Sequence, residues 1–232
     1  MKLRSLCISM PVYNEAFSLP DVLERSARVA QDLAESWEIL VVDDGSTDET
    51  PQILKAFAAR EPRLHVLTHA RNLGIAASLR KVFLSPRQEW IFFISGDGQI
   101  PPEELSRLLP HTEYCDLIYG WRKNRADPLR RRLTAWVYNV LISLCLGRRV
   151  HDVDSAILFR RPLFDGVQLQ SSSIFIHTEL LIAAIRRGLR YGEVPIKHRP
   201  RLGGRAAGGR PGAIIHTMME LMLYVLKRKK TL

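Results

Sequence analysis

Short apolar runs alternate with amphipathic stretches along the first half of the chain. The runs are rich in β-branched and aromatic residues and cover residues 6–10, 37–42, 64–68, 90–94 and 115–119. The stretches between them have the spacing of helices. This alternation predicts an α/β domain with a mostly parallel sheet flanked by helices.

Helix starts are marked by residues that favour the first helical turn. Ser18 and Asp48 are predicted caps, with Pro20 and Pro51 just inside their helices. Further helices are predicted over residues 74–84 and 102–109. Beyond Tyr119 the regular alternation ends, and the pattern predicts a basic loop, a helix over 133–146, a strand near 157–159, a helix over 174–187, a strand over 190–196 and a last helix over 213–226.

Length and composition fit one folded domain. The chain has 232 residues, of which 46% are hydrophobic and 25% charged, and this composition argues against intrinsic disorder. We expect one continuous domain, with residues 1–120 as a nucleotide-binding half and residues 121–232 as a half with another task. Cys7, Cys115 and Cys145 are scattered in apolar surroundings, which favours free thiols in a reducing compartment. The apolar run before Pro11 is too short for a secretory signal.

The net charge of +10 is concentrated in the second half of the chain. Such clustering favours a partner that carries phosphate, which could be nucleic acid, an anionic membrane or a phosphorylated substrate. A solvated basic face explains any single cluster equally well. Nucleic acid ranks last, because no aromatic residues are interleaved with the basic ones, and we expect no such partner. The clusters are residues 122–132, residues 199–210 and residues 227–230.

Polar loops follow the predicted strands where a parallel sheet binds its ligands. Residues 11–15 (PVYNE), 43–48 (DDGSTD), 71–74 (RNLG) and 95–99 (SGDGQ) each follow a strand. Turn and cap chemistry accounts for the second and fourth loops when each is considered alone. Three acidic loops on one edge would repel each other, however, which predicts a cation or a donor-rich ligand among them. Asp97 and Gln99 offer oxygen ligands to a hard divalent cation, Asp44 suits a base or ribose, and Tyr13 could lie against a base.

These loops carry a family resemblance. In order and spacing, the chain resembles glycosyltransferase family 2, which has the GT-A fold, and within it the polyprenyl- and dolichyl-phosphate sugar transferases. The likeness extends from the loop at residues 11–15 to the loop around Arg205. Its landmarks are Val42-Asp43-Asp44-Gly45-Ser46, Asn72-Leu73-Gly74, Gly96-Asp97-Gly98-Gln99, Glu193-Val194-Pro195-Ile196 and Gly203-Gly204-Arg205.

The resemblance implies roles for particular residues. The donor nucleotide sugar would be bound by Pro11, Tyr13, Glu15, Val42, Asp44, Gly96, Asp97, Gln99, Arg122, Arg201 and Arg205. Asp97 and Gln99 would also ligate Mg²⁺ or Mn²⁺. Arg131 and Ser155 would bind the acceptor, which makes residues 121–232 an acceptor-binding half. The residues assigned to catalysis are Asp97, Asp154 and Arg131.

Three positions depart from the family pattern. Ser95 stands where the metal motif usually opens with an Asp, so we expect weaker or altered metal binding. Ala135 replaces a common acceptor-side serine, and Ala156 replaces a usual glycine. The last two leave the identity of the acceptor more open than that of the donor.

The implied reaction is transfer of a sugar, with inversion, from a UDP- or GDP-linked donor to a polyprenyl phosphate at the cytoplasmic face of a membrane. An ionised phosphate needs no general base, whereas a hydroxyl acceptor would need one, for which Asp154 is the candidate. The alternatives are a transferase of the same fold that uses a saccharide or soluble acceptor, and a non-catalytic module that binds nucleotide sugars.

Two segments suggest contact with a membrane surface. Residues 135–142 follow the arginines at 130–132, and the last helix ends in four basic residues, a combination that suits helices lying in the interface. Ordinary core packing is an equal alternative for each helix. No apolar stretch approaches the roughly 20 residues of a spanning helix. We therefore expect peripheral attachment to the inner face of a membrane, anchoring by a separate partner, or a soluble acceptor.

Overall fold

The computed structural model describes residues 2–201 and 211–229. Its strands are β1 (Leu3–Val12), β2 (Ala34–Asp43), β3 (Leu64–Thr68), β4 (Trp90–Phe93), β5 (Leu117–Arg122), β6 (Ala156–Arg160) and β7 (Tyr191–Ile196). Its helices are α1 (Leu19–Leu33), α2 (Thr50–Arg60), α3 (Ile75–Leu84), α4 (Leu105–Leu108), α5 (Leu129–Leu146), α6 (Ile176–Arg186) and α7 (Pro211–Lys229). Each predicted element is present, although the helix predicted over 102–109 is a 3-10 turn followed by the single turn α4.

The seven strands form one sheet in the order β3-β2-β1-β4-β6-β5-β7. β6 runs antiparallel to β4 and β5, and the other pairs are parallel. The prediction of an α/β, mostly parallel sheet is thus confirmed. Central β1 pairs with β2 from Leu3↔Ala34 to Val12↔Asp43 and with β4 on its other side. The carboxyl ends of these three strands therefore meet at one edge, as the loop pattern predicted.

Helices cover both faces of the sheet, because alternate strand residues point to opposite sides. Leu6 and Ile8 of β1 belong to one buried cluster, which α1 completes. Cys7, between them, belongs to a second cluster with residues of α3 and α6. Cys7 and Cys115 are buried and Cys145 is half-buried, and within the described residues no disulfide joins them.

The two predicted helix caps act differently from the prediction. Ser18 precedes α1, but its hydroxyl donates to Glu15 Oε2 (3.2 Å) and to the Gly96 carbonyl (3.0 Å). Asp48 lies one residue before the N-cap of α2 and accepts from the N–H groups of Thr50 (2.9 Å) and Ala16 (3.1 Å). Both side chains therefore tie loops of the sheet edge together.

Gly45 allows the loops after β2 and β3 to touch. Its φ of +70° is in the left-handed region, and a Cβ there would lie 2.5 Å from the carbonyl carbon of Arg71. Gly166 has a similar φ of +74°, but a Cβ there would meet nothing within 4 Å. Comparison of the two glycines therefore separates the cost of a left-handed backbone from the cost of a steric clash.

We predict that Gly45→Ala destabilises the fold more than Gly166→Ala. Gly166→Ala adds left-handed strain of about 1–2 kcal/mol, whereas Gly45→Ala adds about 1–3 kcal/mol more from overpacking. Urea denaturation of both variants measures the difference in the free energy of unfolding. Equal losses would show that the two loops do not touch at Gly45.

Candidate functional site

The loop after β1 is locked onto the loop after β2. Asn14 has a φ of 54°, and its backbone N–H donates to Ser46 Oγ (3.0 Å). The N–H of Glu15 donates to Thr50 Oγ1 (2.9 Å), and the N–H of Thr47 donates to Asn14 Oδ1 (2.8 Å). The left-handed residue turns the chain here, and Glu15 becomes buried at the sheet edge.

The carboxylates after β2 are satisfied by the chain itself. Asp43 Oδ1 accepts from the N–H (3.0 Å) and the hydroxyl (2.6 Å) of Ser46. Asp44 accepts from the N–H groups of Leu73 (2.9 Å) and Gly74 (3.0 Å), and its Oδ1 lies 2.7 Å from His69 Nδ1. The expected repulsion among three acidic loops is therefore relieved at this loop without a ligand. The nucleoside contact of Asp44 stays a prediction.

Glu15 and Asp97 converge on one guanidinium group. Both carboxylates are buried, and Arg201 donates to Glu15 Oε1 and to Asp97 Oδ2 (3.3 Å). Asp97 Oδ1 accepts from the N–H of Gln99 (3.0 Å), and the Gln99 carbonyl accepts from the N–H of Arg199 (2.8 Å). The strand end that carries the predicted metal ligands is thus joined to the segment that carries Arg201.

Within the described residues, the two carboxylates of this cluster share one guanidinium group. Burial raises the pKa of Glu15 to about 7; Arg201 opposes the rise and Asp97 adds to it. A desolvated pair of carboxylates with one guanidinium suits a further cation. Within residues 2–201 and 211–229, no cluster of three or more His, Cys, Asp or Glu side chains could hold a metal alone. The buried oxygens of Asp97 and Gln99 therefore fit an ion that takes its other ligands from a diphosphate and water.

The remaining donor-side candidates lie around this cluster. Tyr13 is 40% exposed, so its ring is accessible, whereas Val42 is fully buried and could reach a ligand only through its backbone. The Pro11 carbonyl accepts from the N–H of Gly96 (3.4 Å), and a Cβ on Gly96 would lie 2.4 Å from Val12 Cγ1. Gly96 is therefore required for the close approach of the two loops. Arg205 lies outside the described residues.

A network of alternating arginine and aspartate side chains connects the end of β5 with α5. Buried Arg122 donates to both carboxylate oxygens of Asp152 (2.6 and 2.8 Å), and Arg125 bridges Asp152 (3.4 Å) and Asp127 (2.9 Å). Arg131 lies 3.1 Å from Asp127 Oδ1. Burial acts to raise the pKa of Asp127, but Arg131 and Arg125 outweigh it and hold the pKa below its ordinary value. Arg122 is thus engaged by Asp152, and its predicted contact with a diphosphate would compete with that pair.

The acceptor-side candidates lie where β6 begins. The side chain of Asp154 is 36% exposed, and its carbonyl accepts from Arg122. Ser155 is buried, and its hydroxyl has no hydrogen-bond partner in the described part of the chain. His177 Nε2 lies 3.6 Å from Asp154 Oδ1.

Sequence reasoning missed His69, Asp152 and His177. Asp152 could have been suspected, because it lies two residues before Asp154 in a strand-entry loop. The histidines carry no comparable local signal, since each meets its carboxylate only through the tertiary fold.

α5 presents an apolar stripe to solvent. Leu129, Leu133, Trp136 and Leu144 are 78%, 59%, 62% and 74% exposed, and they recur at helical spacing. α7 contacts α5 and exposes further large apolar side chains, namely Ile215, Met219, Met222 and Leu223. None of the described helices is long and apolar enough to cross a membrane.

A groove of about 610 Å³ opens beside this stripe. It is lined by α5 residues that include Trp136 and Leu144 and by residues 147–151, among them Arg148 and Arg149. Apolar and basic side chains thus share one surface.

Curated relatives match most of the chain. The undecaprenyl-phosphate 4-deoxy-4-formamido-L-arabinose transferases of Salmonella choleraesuis (strain SC-B67) and Salmonella newport (strain SL254) are each 31% identical over 204 residues. That match covers 86% of this chain and 61% of the relative's length. The chain therefore spans about three fifths of the curated relatives it matches.

Solved structures share the fold. Glucosyl-3-phosphoglycerate synthase from Mycobacterium tuberculosis, in complex with Mn²⁺, UDP and glucosyl-3-phosphoglycerate, matches with a TM-score of 0.73 and 18% identity over 96% of this chain and 80% of that one. The mannosyltransferase PcManGT from Pyrobaculum calidifontis, in complex with GDP-Man and Mn²⁺, matches with a TM-score of 0.65 and 16% identity over 96% of this chain and 65% of that one. At these identities the likeness concerns the fold, and it confirms the predicted GT-A architecture.

A family model matches the part of the chain that contains the loops and the sheet edge described above. The model described as glycosyl transferase family 2 matches residues 7–167, more than half of the chain, and includes the loops after β1, β2, β3 and β4 together with the Arg122–Asp152 pair. The protein therefore belongs to glycosyltransferase family 2.

Proposed function

We propose that the protein transfers a sugar, with inversion, from a nucleotide-sugar donor to a polyprenyl phosphate. The convergence of Glu15, Asp97 and Arg201 at the carboxyl ends of β1 and β4 carries the proposal, because it combines oxygen ligands with a phosphate-binding cation. The relatives named undecaprenyl-phosphate sugar transferases support the acceptor class. The UDP, GDP-Man and Mn²⁺ of the solved structures support the donor class and the metal.

In the donor half, each group has a distinct task. Tyr13 and Asp44 contact the nucleoside, and Asp97 and Gln99 would hold Mg²⁺ or Mn²⁺. A divalent cation there would supply positive charge to the leaving nucleoside diphosphate. Arg201 adds a second positive charge once it moves from Asp97 to a phosphate oxygen, while its contact with Glu15 keeps it at the site.

In the acceptor half, the basic residues are prearranged by carboxylates. Asp127 lies between Arg125 and Arg131, so these long side chains lose less conformational freedom when a phosphate binds. The side chain of Arg131 is 33% exposed and is the more accessible partner of Asp127. A phosphate acceptor arrives ionised and needs no general base, whereas Asp154 would serve as the base for a hydroxyl acceptor.

The apolar stripe of α5 and the exposed residues of α7 form the surface proposed to contact an anionic lipid bilayer. Arg130, Arg132, Arg148 and Arg149 are exposed at the two ends of the same helix, which matches the charge of acidic headgroups. The proposed location is therefore peripheral, on the inner face of a membrane. The alternative is that a separate membrane-anchoring partner covers the apolar stripe.

A transferase with a saccharide or soluble acceptor is the second candidate. Glucosyl-3-phosphoglycerate synthase from Mycobacterium tuberculosis is also solved in complex with phosphoglyceric acid, so this fold accommodates a small molecule that carries phosphate. Product analysis with a short-chain polyprenyl phosphate and with 3-phosphoglycerate separates the two acceptors. Transfer to neither, with donor binding retained, would favour the non-catalytic module.

We predict that Asp97→Asn abolishes metal-dependent transfer while the protein stays folded. The substitution removes one ligand charge of the cation, and the loss of several kcal/mol of transition-state stabilisation corresponds to about 100-fold or more in rate. The control is Asp21→Asn, since Asp21 is exposed and pairs with Arg25 on α1. Release of nucleoside diphosphate in Mn²⁺ is the measurement, and undiminished release by Asp97→Asn would contradict the metal assignment.

The raised pKa of Glu15 gives a prediction about stability and pH. A carboxyl group whose pKa is higher in the folded state stabilises the fold below its ordinary pKa and loses that contribution as the pH rises to about 7. The melting temperature of Glu15→Gln relative to the unsubstituted protein should therefore rise between pH 5 and pH 8 in metal-free buffer. Arg25 holds the pKa of Glu103 below its ordinary value, so the effect of Glu103→Gln should not change over this range. A flat difference for Glu15→Gln would contradict the rise in the pKa of Glu15 on burial.

We predict binding to vesicles that contain phosphatidylglycerol and little binding to pure phosphatidylcholine. The double variant Leu133→Glu/Trp136→Glu should bind at least tenfold more weakly, because each apolar side chain contributes roughly 1.5–3 kcal/mol when buried. Tyr114→Glu is the matched control, since Tyr114 is 53% exposed on another surface. Vesicle flotation measures binding. A protein that stays soluble beside anionic vesicles, or an equal loss for Tyr114→Glu, would defeat the lipid proposal and favour an anchoring partner.

A further inference from the structure

His177 lies inside the protein next to the acceptor-side candidates. It is 2% exposed, and its ring makes edge contacts with Phe83 (5.3 Å between centroids) and Phe93 (5.1 Å). Phe93 ends β4, four residues before Asp97. The histidine is therefore packed between the core and the strand end that carries the proposed metal ligand.

A packing role alone does not explain a histidine here. Its Nδ1 is buried and has no hydrogen-bond partner in the described part of the chain, and an unpaired buried polar atom costs free energy of folding. An apolar ring of similar shape would fill the same aromatic surroundings without that cost. The imidazole thus stands at a position where the free energy of folding alone favours an apolar ring.

The other ring nitrogen faces a carboxylate. Nε2 lies 3.6 Å from Asp154 Oδ1, and Asp154 is partly exposed on its other side. Burial lowers the pKa of His177 below its ordinary value. The negative charges of Asp154 and Asp152 oppose this shift, and the positive charge of Arg122 adds to it. The ring is therefore neutral at pH 7, with one nitrogen that donates and one that accepts.

We propose that His177 is a positioning residue that holds the Asp154 carboxylate toward the acceptor. The neutral ring carries its proton on Nε2 and donates to Asp154 Oδ1, while the aromatic contacts fix the ring plane. The separation of 3.6 Å shortens to a hydrogen bond when the acceptor binds, as contacts in active sites without substrate commonly do. The inference rests on the proposed function in its second form, in which Asp154 serves as the base for a hydroxyl acceptor, so turnover is measured with 3-phosphoglycerate.

Two amide substitutions test which ring nitrogen matters. The amide nitrogen of Gln at this position takes the place of Nε2, whereas that of Asn takes the place of Nδ1. Turnover of His177→Asn and His177→Phe should fall at least about tenfold, with a donor KM within about twofold. His177→Gln should keep turnover within about threefold of the unsubstituted protein. Melting temperatures confirm that each variant is folded at the assay temperature.

A histidine at a similar distance from a carboxylate provides the control. His65 Nε2 lies 3.7 Å from Glu38 Oε2 at edge strand β3, where the histidine side chain is 58% exposed. His65→Asn should leave turnover unchanged. Addition of His177→Asn to Asp154→Ala should cause no further loss, because His177 acts only through Asp154.

A measurement independent of turnover separates this inference from the proposed function. In ¹⁵N NMR spectra, the His177 signals, assigned by their loss in His177→Phe, should show a proton on Nε2 and a bare Nδ1. Asp154→Ala should shift the Nε2 signal. If the protein transfers sugar but the Asn and Gln variants behave alike, or if the proton is on Nδ1, the inference is wrong. If no transfer is found with any donor, the proposed function fails and the NMR result alone decides the role of His177.

Discussion

The parallel pairing of β1 with both β2 and β4 is the constraint on which the site depends. It brings three strand ends to one edge, and with them Glu15, Asp44 and Asp97. Buried carboxylates at one edge are costly unless donors or cations compensate them. The chain compensates Asp44 with His69 and two backbone N–H groups, and it compensates Glu15 and Asp97 with Arg201. Ser18 and the N–H of Gln99 each add one donor, so within the described residues these two carboxylates still share one guanidinium group, and this is where we expect a ligand to contribute most.

The segment between β5 and β6 has the opposite character, since it gathers arginines. Asp152 and Asp127 each serve two arginines, so the positive charge of the loop before α5 is held in a fixed arrangement. The same segment that carries Asp152 also carries Asp154 and leads into β6. A single loop thus joins the arginine network to the carboxylate that His177 contacts, and both are tied to the sheet through β6.

The strands and helices could be predicted because each depends on residues within its own segment. The strand over residues 64–68 and the neighbouring helix from Gly74 follow from apolar periodicity and a glycine at the start. The start of α5 was placed four residues late, because the arginines at 130–132 resembled a solvated loop. Arg131 instead pairs with Asp127 one turn earlier and supports the first helical turn.

The site was predictable only to the extent that it follows from topology. Asp97 and Glu15 were expected together because both follow parallel strands. The contacts of Arg201 with Asp97 and Glu15 could not be predicted from the sequence pattern, since they join residues 104 and 186 positions apart. For the same reason Arg122 was assigned to a ligand, whereas Asp152, 30 positions away, engages its guanidinium.

In the proposed site, Asp97 and Gln99 would hold a divalent cation beside the diphosphate of a nucleotide sugar. A crystal structure of the protein soaked with Mn²⁺ and UDP or GDP tests this arrangement most directly, since anomalous scattering identifies manganese. We expect a manganese peak bound by Asp97, Gln99 and the diphosphate, with Arg201 moved from Asp97 to a phosphate oxygen. Nucleotide bound elsewhere, with Arg201 still bridging Glu15 and Asp97 and no manganese between them, would contradict it.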